Sequence, residues 1–224
     1  MTAFPSPNFG ARRGGVRPSL IILHYTAMES AQAARARLCD PDYEVSAHWL
    51  IAEDGRSEAL VSEAARAWHA GRSYWRGIDD VNSHSIGIEL ANRGTHPFPE
   101  PQMSALEDLL SGIMARWNIS PAGVLAHSDI APDRKIDPGP HFDWLRLARQ
   151  GLALRPQVGT AAGAGGGTEF SNLLTEIGYN PAQEPELLLR AFRLRFRPWG
   201  RGPVGTQDIR LAQGVLAAIS ADGA

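Results

Sequence analysis

The sequence predicts an α/β fold: a mixed central β-sheet flanked by helices, followed by a small three-helix C-terminal domain. Residues 19–23 (SLIIL) and 85–90 (SIGIEL) are short, nearly continuous apolar runs, as in strands buried on both faces. Within residues 100–117, apolar side chains from Met103 to Trp117 recur at the spacing of an amphipathic helix over about four turns. Because strands and helices alternate over the first 150 residues, we expect one layered α/β domain there.

The other elements of this domain are predicted from shorter patterns. Residues 1–18 are rich in Pro, Gly and Arg and predict an extended arm. In chain order we then expect a helix at 29–38, a strand at 45–52, its hairpin partner at 56–61, an aromatic loop from 67, a strand at 123–126 and a closing helix at 142–148.

The composition changes beyond residue 155. We predict a large domain at 1–155, a Gly/Ala-rich linker at 156–167 and three short helices within 168–224. The run GTAAGAGGG is typical of flexible linkers, so a chain ended near Pro156 should fold by itself. The alternative is that the three helices dock on the large domain and line its cleft.

Composition excludes several classes of protein. The net charge of -2 argues against general electrostatic binding of nucleic acid or anionic membranes. Cys39 is the single cysteine, so no intramolecular disulfide is possible. No apolar run approaches the roughly 20 residues that span a bilayer, and the first residues lack the apolar core of a signal peptide. We expect a cytoplasmic, monomeric protein.

The segment VLAHSDIAPDRKIDPGP (124–140) carries the clearest chemistry. It places His127, Lys135 and Asp137 on a loop stiffened by proline and glycine. Imidazole nitrogen and carboxylate oxygen are zinc ligands, and a catalytic zinc usually has three protein ligands and one open position. Taken alone, a histidine and an aspartate in such a loop are more often structural.

Two further residues strengthen the metal interpretation. His24 ends the first buried strand, where an imidazole needs a partner for its polar nitrogens and can serve as third ligand. Glu89 lies near the end of another strand, and a carboxylate beside a zinc site is the general base that metal-assisted hydrolysis needs.

Five motifs also carry a family resemblance. LHYTA, VSAHWLIAEDG, WHAG, IGIELAN and HSDIAPDRKIDPG, in this order, resemble the AmpD-like N-acetylmuramoyl-L-alanine amidases, zinc enzymes related to peptidoglycan-recognition proteins. The resemblance covers about residues 5 to 150. It implies one zinc ion per chain and hydrolysis of the amide between the lactyl group of N-acetylmuramic acid and the L-alanine of the stem peptide.

The resemblance also implies roles for individual residues. His24, His127 and Asp137 match the zinc ligands, Glu89 matches the catalytic acid/base, and Lys135 matches the cation beside the developing oxyanion. Some relatives carry a cysteine ligand and a tyrosine where this chain has Asp137 and Ala47, so Glu89 must carry the proton transfer. Related members often have glycine where this chain has Asp133, which adds a charge near the cleft.

Substrate contacts are less specific in the sequence. Tyr25, His48, Trp68 and His69 are candidates for binding sugar or peptide, with core packing or loop support as the alternative. The C-terminal region resembles, more weakly, three-helix peptidoglycan-binding modules. Its arginine-bearing stretch, AFRLRFRP, either meets carboxylates of stem peptides or forms a solvated charged face.

Two function classes follow: the amidase, and a non-catalytic recognition protein that binds muropeptides on the same fold. Loss of a zinc ligand would indicate the second class, and here every position is filled, which favours the enzyme. The sequence leaves open whether the substrate is a 1,6-anhydro-muropeptide or intact peptidoglycan.

Overall fold

The computed structural model describes residues 5–156 and 166–222. Most of the predicted linker lies outside these residues. The strands are β1 (Phe9–Gly10), β2 (Leu20–Tyr25), β3 (Trp49–Ile51), β4 (Ser57–Ala59), β5 (Arg66–Ala67), β6 (Ser85–Leu90) and β7 (Val124–Ala126). The α-helices are α1 (Ala31–Leu38), α2 (Val81–His84), α3 (Glu100–Trp117), α4 (His127–Ile130), α5 (Trp144–Arg149), α6 (Gly167–Ile177), α7 (Pro185–Phe196) and α8 (Thr206–Asp222).

The central sheet is mixed, as predicted, and has the strand order β4-β3-β6-β2-β7. The strands β3, β6, β2 and β7 run parallel to their neighbours, whereas β4 pairs antiparallel with β3 at one edge. Parallel strands align their carboxyl ends along the same edge of the sheet, where side chains of several strands can meet. This edge carries the candidate site.

The two faces of the sheet have different cover. Ile21 and Leu23 of β2 belong to a core that includes Leu106 and Leu110 of α3. The alternate residue Ile22 points to the opposite face and joins a core formed largely by the C-terminal helices. The strand β2 is therefore buried on both faces, as its continuous apolar run predicts.

The C-terminal helices dock on the sheet rather than standing apart from it. Phe170 of α6 and Phe192 of α7 share a hydrophobic cluster with Ile22 of β2. At the same contact, the buried carboxylate of Asp129 accepts hydrogen bonds from the Tyr179 hydroxyl and the Arg195 guanidinium, both at 2.7 Å. The C-terminal helices are therefore docked on the large domain, and not held apart from it as the glycine-rich run predicts. The domain boundary near residue 155 stays a prediction.

The arginines of α7, and Arg197 directly after it, have partners inside the chain. Arg193 and Arg197 bond to Asp208 of α8, Arg195 bonds to Asp129, and Arg190 donates to the Pro132 carbonyl. The structure therefore uses this stretch to hold α7 against α8 and against the sheet domain.

Two local predictions differ from the structure. The strand expected at 45–52 is limited to Trp49–Ile51. The N-terminal segment is not an extended arm over its described part, because Ser6, Asn8 and Arg12 are buried and bonded to the domain. Within the described residues, no helix has the length and apolar character needed to cross a bilayer.

Replacing Arg195 with methionine should lower the free energy of unfolding by about 3–5 kcal/mol, because it leaves the Asp129 carboxylate buried without its cation. Urea denaturation at neutral pH measures the change. Arg201→Met is the matched control, since within the described residues this exposed arginine bonds only to the backbone carbonyls of Pro198 and Gly200; it should cost less than about 0.5 kcal/mol. If both variants lowered the free energy of unfolding by the same small amount, the docking of α7 on Asp129 would be contradicted.

Candidate metal centre and cleft

Strand register brings the candidate ligands together at the carboxyl edge of the sheet. In the parallel pairing of β2 with β6, His24 lies opposite Glu89. In the pairing of β2 with β7, Leu23 lies opposite Ala126, so the next residue, His127, comes beside His24. The loop after α4 then returns Asp137 to the same point.

The three predicted ligands form a compact, buried triangle. His24 Nδ1 is 2.9 Å from His127 Nδ1 and 3.1 Å from Asp137 Oδ2, and His127 Nδ1 is 2.9 Å from Asp137 Oδ2. Ligands of a tetrahedral zinc, at bond lengths of about 2.0–2.2 Å, lie roughly 3.3–3.5 Å apart, so the triangle is close to that size. These residues could hold a metal ion.

The protonation states also suit a cation. His127 Nε2 is 3.2 Å from the Ala70 carbonyl and must donate to it, so the tautomer of a neutral His127 that makes this bond has its lone pair on Nδ1. Burial, with a further contribution from His127, lowers the pKa of His24 to about 4, so this imidazole is neutral. Burial alone would raise the pKa of Asp137, but the two histidines hold it well below its usual range. The triangle therefore presents the neutral imidazole of His24 beside the carboxylate of Asp137.

Glu89 faces the ligands without a partner. Its Oε2 atom is buried and has no hydrogen-bond partner among the described residues. Burial, helped by the negative charge of Asp137 and opposed by Lys135, raises the pKa of Glu89 to about 8. A carboxyl group with a pKa near neutrality can both accept and return a proton in a reaction at neutral pH.

The ligands open into a cleft of about 490 Å³. Of the residues predicted from the sequence, Tyr25, Trp68, His69, Glu89 and Lys135 line it together with the ligands. The cleft also contains residues that the sequence analysis missed: Met28, Arg37, Arg134 and Ile136. Arg134 and Ile136 flank Lys135 in the sequence, and that adjacency was the available signal; Met28 and Arg37 had none.

His48 is not brought to the cleft. It is fully buried, its Nδ1 accepts the Gly87 N–H at 2.9 Å, and its Nε2 lies 3.2 Å from the Ala65 carbonyl. Burial, the largest effect, lowers its pKa to about 3. Its contact with substrate stays a prediction, and the observed bonds assign it to holding β6. The charge of Asp133, expected near the cleft, is paired with Arg72.

The family follows from comparison with known proteins. The family model described as N-acetylmuramoyl-L-alanine amidase matches residues 14–140, which include every ligand candidate and Glu89. This chain belongs to that family. Among curated relatives, it is 37% identical over 212 residues to the N-acetylmuramoyl-L-alanine amidase AmiD of Escherichia coli K12, covering 81% of this chain and 76% of AmiD.

Further similarities extend over different parts of the chain. The 1,6-anhydro-N-acetylmuramyl-L-alanine amidase AmpD of Haemophilus influenzae is 35% identical over 159 residues, covering 63% of this chain and 86% of AmpD. The structure of E. coli AmiD with the substrate anhydro-N-acetylmuramic acid-L-Ala-D-γ-Glu-L-Lys superposes with a TM-score of 0.82 at 35% identity, covering 92% of this chain and 91% of AmiD. AmpDh3 of Pseudomonas aeruginosa gives 0.79 at 29% identity, covering 91% and 92%. The predicted fold and enzyme class are thereby confirmed.

Glu89→Gln should stabilise the metal-free protein at pH 8. The folded-state pKa of Glu89 is raised above its unfolded value, so its ionisation removes stability as the pH rises from about 4.5 towards and past 8. Glutamine keeps the size and never ionises. We expect a gain of about 1–3 kcal/mol at pH 8 that vanishes near pH 4.5, measured by urea denaturation in chelator. The exposed Glu176→Gln variant should show no such pH-dependent gain, and an equal pH profile for Glu89→Gln and wild type would contradict the assignment.

Proposed function

We propose that this chain is a zinc-dependent N-acetylmuramoyl-L-alanine amidase acting in peptidoglycan turnover and recycling. It hydrolyses the amide bond between the lactyl group of N-acetylmuramic acid, or its 1,6-anhydro form, and the L-alanine of the stem peptide. The observation that carries this proposal is the buried triangle of His24, His127 and Asp137 in an amidase-family cleft. It faces Glu89, whose Oε2 atom has no hydrogen-bond partner among the described residues.

The donor set supports zinc, at one ion per chain. Two imidazole nitrogens and one carboxylate oxygen suit this borderline metal, and three protein ligands leave a position for water or substrate. Zinc bound there would supply an electrophile for the substrate carbonyl and lower the pKa of a water to roughly 7. Every proposed catalytic side chain comes from one chain, which supports a functional monomer.

Glu89 moves the proton in this proposal. It takes a proton from the attacking water and delivers it to the nitrogen of L-alanine as the amide bond breaks. Its raised pKa and missing hydrogen-bond partner are those of a group kept ready for a proton. The ammonium group of Lys135, which lines the same cleft, stabilises the negative charge that develops on the carbonyl oxygen. Removal of such a stabiliser typically costs about 10²–10³ in rate.

The cleft fits an anionic muropeptide. Arg37, Arg134 and Lys135 line it, and each can pair with carboxylates of a stem peptide. Tyr25 and Trp68 supply aromatic surface for the sugar or the peptide. Because AmiD and AmpDh3 are known in complexes with anhydromuramic peptides, a soluble 1,6-anhydro-muropeptide is the first substrate to test.

Purified protein should contain about one zinc per chain, measured by elemental analysis after dialysis. His127→Ala and Asp137→Ala should lose both zinc and hydrolysis of an anhydro-muropeptide, because each removes one of three ligands. Glu89→Gln should keep zinc and lose at least about 10²-fold in turnover, since it removes only the base. Full zinc occupancy in the alanine variants, or zinc-loaded wild type that binds muropeptide without cutting it, would contradict the proposal; the latter would favour the recognition protein.

A further inference from the structure

Behind His24, on the side away from the other ligands, lies a chain of hydrogen bonds. His24 Nε2 is 3.0 Å from His69 Nδ1, His69 Nε2 is 3.2 Å from Ser85 Oγ, and Ser85 Oγ is 2.6 Å from the Val81 carbonyl. All four residues are buried. The chain thus begins at a metal-ligand candidate and ends on the protein backbone.

The carbonyl at its end determines the direction of every bond in the chain. A carbonyl oxygen has no proton, so the Ser85 hydroxyl must donate to Val81. Its only proton is then used, and it can only accept from His69 Nε2. A neutral imidazole protonated at Nε2 has its lone pair at Nδ1, and that lone pair must accept a hydrogen bond from His24 Nε2.

The consequence at the metal centre is a single tautomer of His24. With its proton on Nε2, His24 presents the Nδ1 lone pair to His127 and Asp137. The His69 ring lies between Ser85 and His24, so a single proton on its Nε2 transmits the direction from one to the other.

The same short segment sets the tautomer of the second histidine ligand. The carbonyl of Ala70, the residue after His69, accepts from His127 Nε2 at 3.2 Å. The side-chain oxygen of Asn82 in turn accepts the backbone N–H groups of His69 at 3.0 Å and Ala70 at 2.8 Å. One clamped turn therefore orients both imidazoles towards the metal position.

The sheet is shaped to receive the His69 ring. Ser85, Gly87 and Glu89 alternate onto one face of β6, and the ring lies over the middle position. A Cβ atom on Gly87 would lie 2.4 Å from His69 Cγ, so any larger residue there would displace the ring. Glycine at 87 is therefore a requirement of this hydrogen-bond chain.

We propose that His69 and Ser85 are positioning residues that select the tautomer of His24 with Nδ1 free for the metal, and that they thereby set the affinity for zinc. The inference rests on the proposed zinc function. It assigns His69, predicted from the sequence to touch substrate, to the support of a ligand. Outer hydrogen-bond partners of metal-bound histidines typically contribute about 10–100-fold to metal affinity.

Ser85→Ala tests the far end of the chain, which touches no ligand. Without the serine acceptor, His69 is free to place its proton on Nδ1 and to force His24 into the wrong tautomer. We expect zinc binding at least about 10-fold weaker than in wild type, measured by competition with a chromogenic chelator. Ser83→Ala is the matched control: this neighbouring buried serine bonds to Asp80 and to the Arg13 N–H, and its removal should leave zinc affinity unchanged.

A conservative pair tests the middle of the chain. The amide of glutamine in His69→Gln offers an oxygen that accepts and an NH₂ that donates, whereas His69→Leu offers neither. Glutamine should restore part of the affinity that leucine loses. The nitrogen chemical shifts of the His24 ring in the zinc-free protein report its tautomer directly. His24 Nδ1 should be unprotonated in wild type and in Ser83→Ala. It should be partly protonated in Ser85→Ala.

The outcomes separate this inference from the function on which it rests. An unchanged His24 tautomer and unchanged zinc affinity in Ser85→Ala would overturn the positioning role, even if the enzyme is an amidase. Failure of wild type to bind zinc would overturn the proposed function, while the zinc-free tautomer measurement would still decide the direction of the chain. If His69→Leu does not fold, Ser85→Ala alone decides the question.

Discussion

The parallel register of β2 with β6 and β7 is the constraint on which the site depends. It sets His24 opposite Glu89 and brings His127 alongside, so that two candidate ligands and the candidate base meet at one edge of the sheet. A shift of one residue would turn His24 into the core of the opposite face and move a leucine or tyrosine into the metal position. This shift is opposed because it would bury the polar nitrogens of His24 among apolar side chains, away from their present partners.

One face of the sheet serves both packing and chemistry. Near the amino ends of the strands, Leu20 and Leu125 are covered by the C-terminal helices. Near the carboxyl ends, the same face carries His24 and Glu89 and opens into the cleft. Between these zones lies the His69 ring. The C-terminal helices also reach the metal loop, because Asp129, two residues after His127, is held by Tyr179 and Arg195. They are thus part of the framework of the centre.

Features that depend on local sequence patterns are predicted well from the sequence. The bounds of β6 and α3 agree with prediction because both carry long, regular apolar patterns. Residue chemistry and motif order predict the three candidate metal ligands, and the structure brings these residues together.

Other features depend on tertiary contacts that no local pattern encodes. A glycine-rich run does not predict whether the following helices pack on the preceding domain. Here they pack on the sheet. The direction of the His24–His69–Ser85 bonds depends on a carbonyl of α2, and His48 bonds to the backbone of β6 instead of facing the cleft.

Identifying the bond that the enzyme hydrolyses is the most direct test of the proposed function. The purified enzyme is incubated with a 1,6-anhydro-muropeptide in water labelled with the heavy isotope of oxygen. The masses of the products are then measured by mass spectrometry. Hydrolysis of the lactyl amide should place one heavy oxygen in the lactyl carboxylate of the sugar fragment and leave an unlabelled peptide with a free L-alanine amino group. Label in a peptide carboxylate, or intact substrate in the presence of zinc-loaded enzyme, would contradict it.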